Sequence, residues 1–99
     1  MTTLVNEPVK VLAAFGEKRL AIKPLKLLWG NASYELGKID FLHATKKGVE
    51  RVYHFSMCTA GGEMYVKLAF YTYSLTWILE EVEDDASGMN EQNRSLGWR

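Results

Sequence analysis

Turn-forming residues punctuate this chain at short, even intervals: Gly16, Gly30-Asn31, Lys47-Gly48, Gly61-Gly62 and, more weakly, Tyr73-Ser74. The segments between them are rich in β-branched and aromatic residues, and apolar members alternate with polar ones. That rhythm predicts an all-β domain of about six antiparallel strands, in a curled sheet or a small open barrel. In the first strand Val9, Val11, Ala13 and Phe15 share a face behind Pro8, a residue suited to a strand start or edge. In "LKLLW" Leu25, Leu27 and Trp29 share a face, and Gly30-Asn31 reads as a two-residue hairpin turn. The next strand, "SYELGKIDFLHA", carries Tyr34 and Leu36 on one parity but Ile39 and Phe41 on the other. An extra residue at Gly37-Lys38 restores the phase, so a β-bulge is predicted there. In "VYHFSMCT", Tyr53, Phe55 and Met57 alternate with Val52, His54, Ser56 and Cys58.

The stretch "MYVKLAFYTYSLTWILEEV" contains five aromatic rings and neither Gly nor Pro. Folded about Tyr73-Ser74, it sets Phe70 against Trp77 and Leu68 against Leu79 on a core side. On the other side Tyr71 meets Thr76, Ala69 meets Ile78, Lys67 meets Glu80 and Tyr65 meets Val82. The opposed charges of Lys67 and Glu80 support this register independently of the apolar pattern. The second side then exposes Tyr65, Ile78 and Val82, an apolar face that calls for a cover: another strand, the C-terminal tail or a second subunit.

Composition bounds the rest. The chain has 99 residues, 47% apolar and 24% charged, which describes one ordinary domain. The ordered part is expected over residues 1–84. The polar, aperiodic "ASGMNEQNRSLGWR" predicts a flexible tail over 85–99, in which Leu96 and Trp98 are candidates for local docking. No apolar run is long enough for a membrane-spanning helix, and the opening "MTTLVNEPVK" lacks the features of a signal peptide. The single cysteine, Cys58, excludes an internal disulfide framework and, with the missing leader, predicts a cytoplasmic protein. Ten Lys/Arg precede Glu80 against six Asp/Glu, while six acidic residues oppose two basic ones from Glu80 onward. A basic body with an acidic tail suits an anionic partner. Surface charge also varies along any chain, so the asymmetry alone names no partner.

Several segments carry a resemblance: "EPVKV", "KPLKLLWGNASYELGKI", "RVYHFSM", "GGEMYVKLAF" and "LTWILEEV". Over residues 7–82 the chain resembles a small, uncharacterised bacterial β-domain family with a Pro-x-x-Phe/Leu-x-Trp-x-Gly-x-x-Tyr-x-Val core and a closing Trp-x-Leu strand. The landmarks here are Pro24, Trp29, Gly30, Tyr34, Tyr53, Phe55, Tyr65, Leu68, Trp77 and Leu79. Some members of that family accompany Y-family DNA polymerases, which implies a nucleic-acid context. The chain departs from the pattern at Asn31 and Ala32, where relatives often carry arginine. No catalytic motif comes with the resemblance.

The residues that bear chemistry are sparse. Four extended residues separate His54 from Cys58 by roughly 13 Å, too far to share one ion. His43 is able to approach His54 across a strand pair, giving two ligands at most, so structural histidines are expected and no metal or other cofactor. Nothing in the sequence supplies a base to activate Cys58. The carboxylates Glu80, Glu81, Glu83, Asp84 and Asp85 form a run that reads as solvated. "AGGE" lacks the context of a phosphate-binding loop. The expectation is therefore a non-catalytic binding or protein-interaction domain, with a homodimer or another protein as partner and no role for a membrane. Its interaction face is Tyr65, Lys67, Tyr71, Ile78, Glu80 and Val82, since Tyr suits interface centres. The alternative is a single-stranded nucleic-acid binder in a DNA-repair context, stacking bases on the same tyrosines, with Lys23, Lys26, Lys46, Lys47 and Arg51 on the phosphates.

Overall fold

The structure, a computed structural model, describes residues 2–16 and 22–84. It contains six strands: β1 (Thr2–Phe15), β2 (Ile22–Trp29), β3 (Ala32–Lys47), β4 (Glu50–Thr59), β5 (Met64–Tyr71) and β6 (Thr76–Asp84). Every neighbouring pair is antiparallel, and β1 pairs with β6, so the sheet closes into one ring. The expected all-β architecture holds, and the sheet closes on itself where a curled or open form was also expected. Among the described residues no helix is long and apolar enough to cross a membrane. The tail expected at 85–99, with Leu96 and Trp98, lies outside the described residues.

Two long strands bend the sheet round. Residues 2–9 of β1 pair with β6, whereas residues 10–15 pair with β2. Likewise residues 32–35 of β3 pair with β2, and residues 36–47 pair with β4. A strand that changes partner midway links two parts of the sheet whose directions differ, which lets a twisted sheet of few strands meet itself. The β2–β3 ladder is consequently only four pairs long, Lys26–Glu35 to Trp29–Ala32. Past it the two strands part, and the β3–β4 hairpin projects with β3 held, among the described residues, on its β4 side only.

Two of the hairpin turns follow directly from the backbone freedom of glycine. Gly30 (φ 62°) and Gly48 (φ 64°) each begin a two-residue loop, flanked by the pairs Trp29–Ala32 and Lys47–Glu50. Positive φ at the first loop residue matches the strand twist and is cheap only for glycine.

Bulges decide which side chains face inward. The predicted one is present: Leu36 opposes Thr59 and Ile39 opposes Met57, so Gly37 and Lys38 share the space of Cys58. Four others were not anticipated. In β1, Val5 and Asn6 (φ 51°) together stand against Glu80, between the Leu4–Glu81 and Glu7–Leu79 pairs. Asp40 is an extra residue between the Ile39–Met57 and Phe41–Ser56 pairs, which takes Phe41 off the face of Ile39 and leaves it 59% exposed. Leu25 is extra between the Leu12–Lys26 and Ala13–Pro24 pairs. Pro24 is buried in consequence, while Leu25, expected inside with Leu27 and Trp29, is exposed. Glu80 is extra between the Leu68–Leu79 and Lys67–Glu81 pairs.

Leu27, Tyr53, Phe55, Met57, Val66, Leu68, Phe70, Trp77, Leu79 and Val82 form the interior. Trp77 packs on Phe70 at 4.6 Å and Phe55 at 5.6 Å between ring centroids. Each such side chain contributes about 1.5–3 kcal/mol by leaving water.

Candidate interaction site

The Glu80 bulge rewrites the face predicted on the last hairpin. Phe70–Trp77, Leu68–Leu79, Ala69–Ile78 and Tyr71–Thr76 pair as expected. Beyond the bulge the register moves by one: Lys67 opposes Glu81, Tyr65 opposes Glu83, and Val82 opposes Val66. The predicted pairs Lys67–Glu80 and Tyr65–Val82 are therefore corrected. Val82 belongs to the core at 5% exposure and to no outer face. Tyr65, Lys67, Tyr71, Ile78 and Glu80 remain on the outer side of the sheet, with Glu81 added.

The polar groups of that outer side are engaged with one another. Lys67 Nζ lies 3.7 Å from Glu81 Oε1. Glu80 Oε1 lies 3.3 Å from His54 Nδ1, and His54 Nε2 lies 2.8 Å from Thr45 Oγ1. His43, directly opposite His54, stacks on it at 4.7 Å with an interplanar angle of 10°, and Phe41 leans on His43 at 5.3 Å. Lys47 Nζ sits 5.9 Å above the Tyr71 ring. Burial first, and then a hydrogen bond to Asp40, push the Tyr65 phenol above its ordinary pKa. Beneath these groups Ala69 is fully covered. Docking here requires existing pairs to be broken, and each unmade bond costs desolvation.

Thr45, His54 and Glu80 follow the hydroxyl–imidazole–carboxylate order of a hydrolytic relay. They sit on a strand face where Thr45 pairs with Val52 and His54 with Ala69, so the backbone N–H groups of Thr45 and His54 themselves are committed to the ladder. What the contacts do is fix the imidazole: Glu80 accepts from Nδ1–H, and Nε2 shares a hydrogen bond with the Thr45 hydroxyl. Burial, followed by the charge of Asp40, pushes the Cys58 thiol up, the opposite of what a nucleophile needs. Among the described residues no group of three or more His, Cys, Asp or Glu is placed to hold a metal.

Sequence reasoning missed a different site. Where β2 leaves β3, an apolar cleft of about 260 Å³ opens between Ile22, Leu42, His43, Ala44, Tyr53 and Phe55. Phe15 flanks this end of the ring, 62% exposed, with its ring edge on Phe70 at 6.1 Å. At the hairpin tip Lys46 directly opposes Arg51, on the parity of Ala44 and Tyr53. Neither cation has a carboxylate partner among the described residues. Of the five cations singled out from sequence, these two are brought together. Lys47 lies on the opposite face over Tyr71, Lys23 is opposite Ala14 on β2, and Lys26 bonds Glu35 at 3.8 Å.

The backbone of β3 is also free of any described strand beside the cleft. Residues flanking a two-residue hairpin loop exchange both hydrogen bonds, so Lys47 and Glu50 do, and by alternation so do Thr45–Val52 and His43–His54. The N–H and C=O groups of Leu42, Ala44 and Lys46 point the other way, and no described strand pairs with that edge. The carbonyl of Arg51 confirms the alternation: it turns away from Lys46 to accept from the N–H and hydroxyl of Thr72. Glu50 steadies the tip from below, its Oε2 accepting from Tyr73 N, Ser74 N and Ser74 Oγ at 2.9, 2.8 and 3.0 Å. Those bonds, led by the Ser74 N–H, hold the Glu50 carboxyl below its ordinary pKa.

The Asp40 bulge, which reverses the phase read through Ile39 and Phe41, hid the inward parity of Leu42 and Ala44, whereas the alternation of Tyr53 and Phe55 was visible in the sequence. The early end of the β2–β3 ladder was not. A scan of family models matched none, and searches of curated proteins and of solved structures found no match.

Proposed function

We propose that the protein is a non-catalytic protein-interaction domain that receives an extended segment of a partner along the free edge of β3. One observation carries this reading: the backbone groups of Leu42, Ala44 and Lys46, which no described strand pairs, lie beside an open apolar cleft. Strand addition uses both features, the backbone for affinity and the cleft for choice of side chain. Long free edges are ordinarily blunted because they invite pairing. A selection from displayed random peptides tests the reading, with binders measured on the wild type and on Ala44→Pro. Proline at 44 removes one outward N–H and leaves the β4 ladder intact. Loss of binding in a variant that melts like the wild type supports the proposal. Equal binding to the two proteins, or no selected binder, overturns it. Amide exchange supplies a check without substitution: Leu42, Ala44 and Lys46 exchange quickly in the free protein and slow when peptide is bound.

A second reading, binding of single-stranded nucleic acid, is favoured by the opposed Lys46–Arg51 pair near exposed Phe15. The family resemblance, with its polymerase context, supports the same reading. Mobility of a labelled oligothymidine at low salt tests it. Retardation that fades with salt and in Lys46→Ala supports nucleic acid, and free migration at every protein concentration removes it.

A further inference from the structure

The occupant of the β3 edge is constrained by what stands along it. In an added strand, each residue directly opposite a β3 residue shares that residue's face. Partner positions opposite Leu42, Ala44 and Lys46 therefore point to the side of the cleft. The positions between them fall on the outer side, beside His43, Thr45 and Lys47, which are polar and exposed. Ala44 has only a methyl group, and the space over it is the cleft walled by Ile22, Leu42, Tyr53 and Phe55. A large apolar side chain opposite Ala44 fills that space. The next residue on the same face arrives at Lys46, which already opposes Arg51.

Like charges directly opposite each other on a ladder are unfavourable. Here they have no acidic relief among the described residues. A carboxylate opposite Lys46 sits where it meets both cations and turns the repulsion into attraction. Resting on the strand-addition reading above, we infer that the received segment alternates polar residues with a cleft-facing set. Two residues along from a large apolar side chain, that set carries an aspartate or glutamate. A second copy of this chain fits poorly, because its own β3 brings Leu42, Ala44 and a further lysine to the same positions. A phosphate fits the cations but leaves the backbone edge of Leu42 and Ala44 unused.

Two blocked peptides, TVTLTET and TETLTVT, present the pattern in both chain directions. Counterparts carry Gln or Lys in place of Glu. Each is titrated into the wild type, into Ala44→Pro and into the double variant Lys46→Glu, Arg51→Glu, with amide shifts as the readout. In at least one direction, the Glu peptide is expected to bind the wild type about tenfold more tightly than its Lys counterpart. In the charge-reversed protein the order inverts, and added salt shrinks both differences. Equal affinity for the Glu, Gln and Lys peptides, with binding still lost in Ala44→Pro, overturns the acidic partner and keeps strand addition. It would mean that the two cations only guard the edge. Binding that survives in Ala44→Pro, or no binding by any peptide, overturns both. A rise of solution mass to a dimer that Ala44→Pro abolishes replaces the acidic partner by a second copy.

Discussion

Val82→Lys forces an ammonium into the interior of the ring. Val82 is 5% exposed and opposes Val66, which is fully buried, so the new side chain starts from an apolar interior. The control Val82→Ala isolates the packing share. It removes two carbons, about 1.6 kcal/mol of transfer free energy, and incomplete collapse raises the cost to about 2–3 kcal/mol. Lysine loses that packing and also carries a charge from water, at several kcal/mol. A long stem that reaches the rim recovers part of this, leaving roughly 4–5 kcal/mol, comparable with the whole stability of a small domain. The surface control, Glu81→Ala, breaks only a half-exposed pair with Lys67 and costs about 0.2–1 kcal/mol. Urea titration followed by tryptophan fluorescence, to which the buried Trp77 contributes, ranks the three. Should Val82→Lys unfold within about 0.5 kcal/mol of the wild type, Val82 points outward, and the Glu80 bulge on which the outer face rests is wrong.

Gly30→Ala costs about 1–2 kcal/mol in the same titration, because φ is 62° while a Cβ meets nothing within 4 Å, so the whole penalty is conformational. Ile78→Lys leaves the solution mass of the protein unchanged, since the outer side is already self-paired; a dimer converted to monomer restores that side as the interface. Glu50 has a lowered folded pKa, so its support for the 72–75 loop is complete above the ordinary carboxylate value and fades as pH falls through the lower folded value. Glu50→Gln should therefore lose less stability than the wild type between pH 6 and pH 3, and an equal loss would show that the cap is not formed. Cys58, its pKa raised by burial, should react with a thiol reagent at pH 8 more slowly folded than in urea; equal rates would mean that it is exposed.

Much of this fold was readable from local signals. The turns at Gly30 and Gly48 and the bulge at Gly37-Lys38 follow from residue type and from a break in alternation. The core rings Phe55, Phe70 and Trp77 follow from parity. The extra residues at Leu25, Asp40 and Glu80 left no such trace. Each lies among side chains that read acceptably on either face: Leu25 looked like a core residue, and Glu80 and Glu81 satisfy Lys67 equally well on paper. Only the neighbouring strands decide, through the change of partner in β1 and β3. The cleft escaped for the same reason. Lys46 and Arg51 were singled out by charge, and Tyr53 and Phe55 by alternation, yet the space beside them exists because β2 stops pairing at Lys26–Glu35. That is a property of ring closure and not of any segment.

The seam between β1 and β6 has a kinetic consequence. Thr2 pairs with Glu83 and Val9 with Trp77, so the last ladder to form joins residues far apart along the chain. A growing polypeptide cannot zip this seam until its sixth strand has emerged, and until then Val5, Val9 and the rings of Phe55 and Phe70 stay wet. Refolding should be slow for so small a molecule. A chain shortened by its first eight residues should be left as an unsealed sheet with two bare rims.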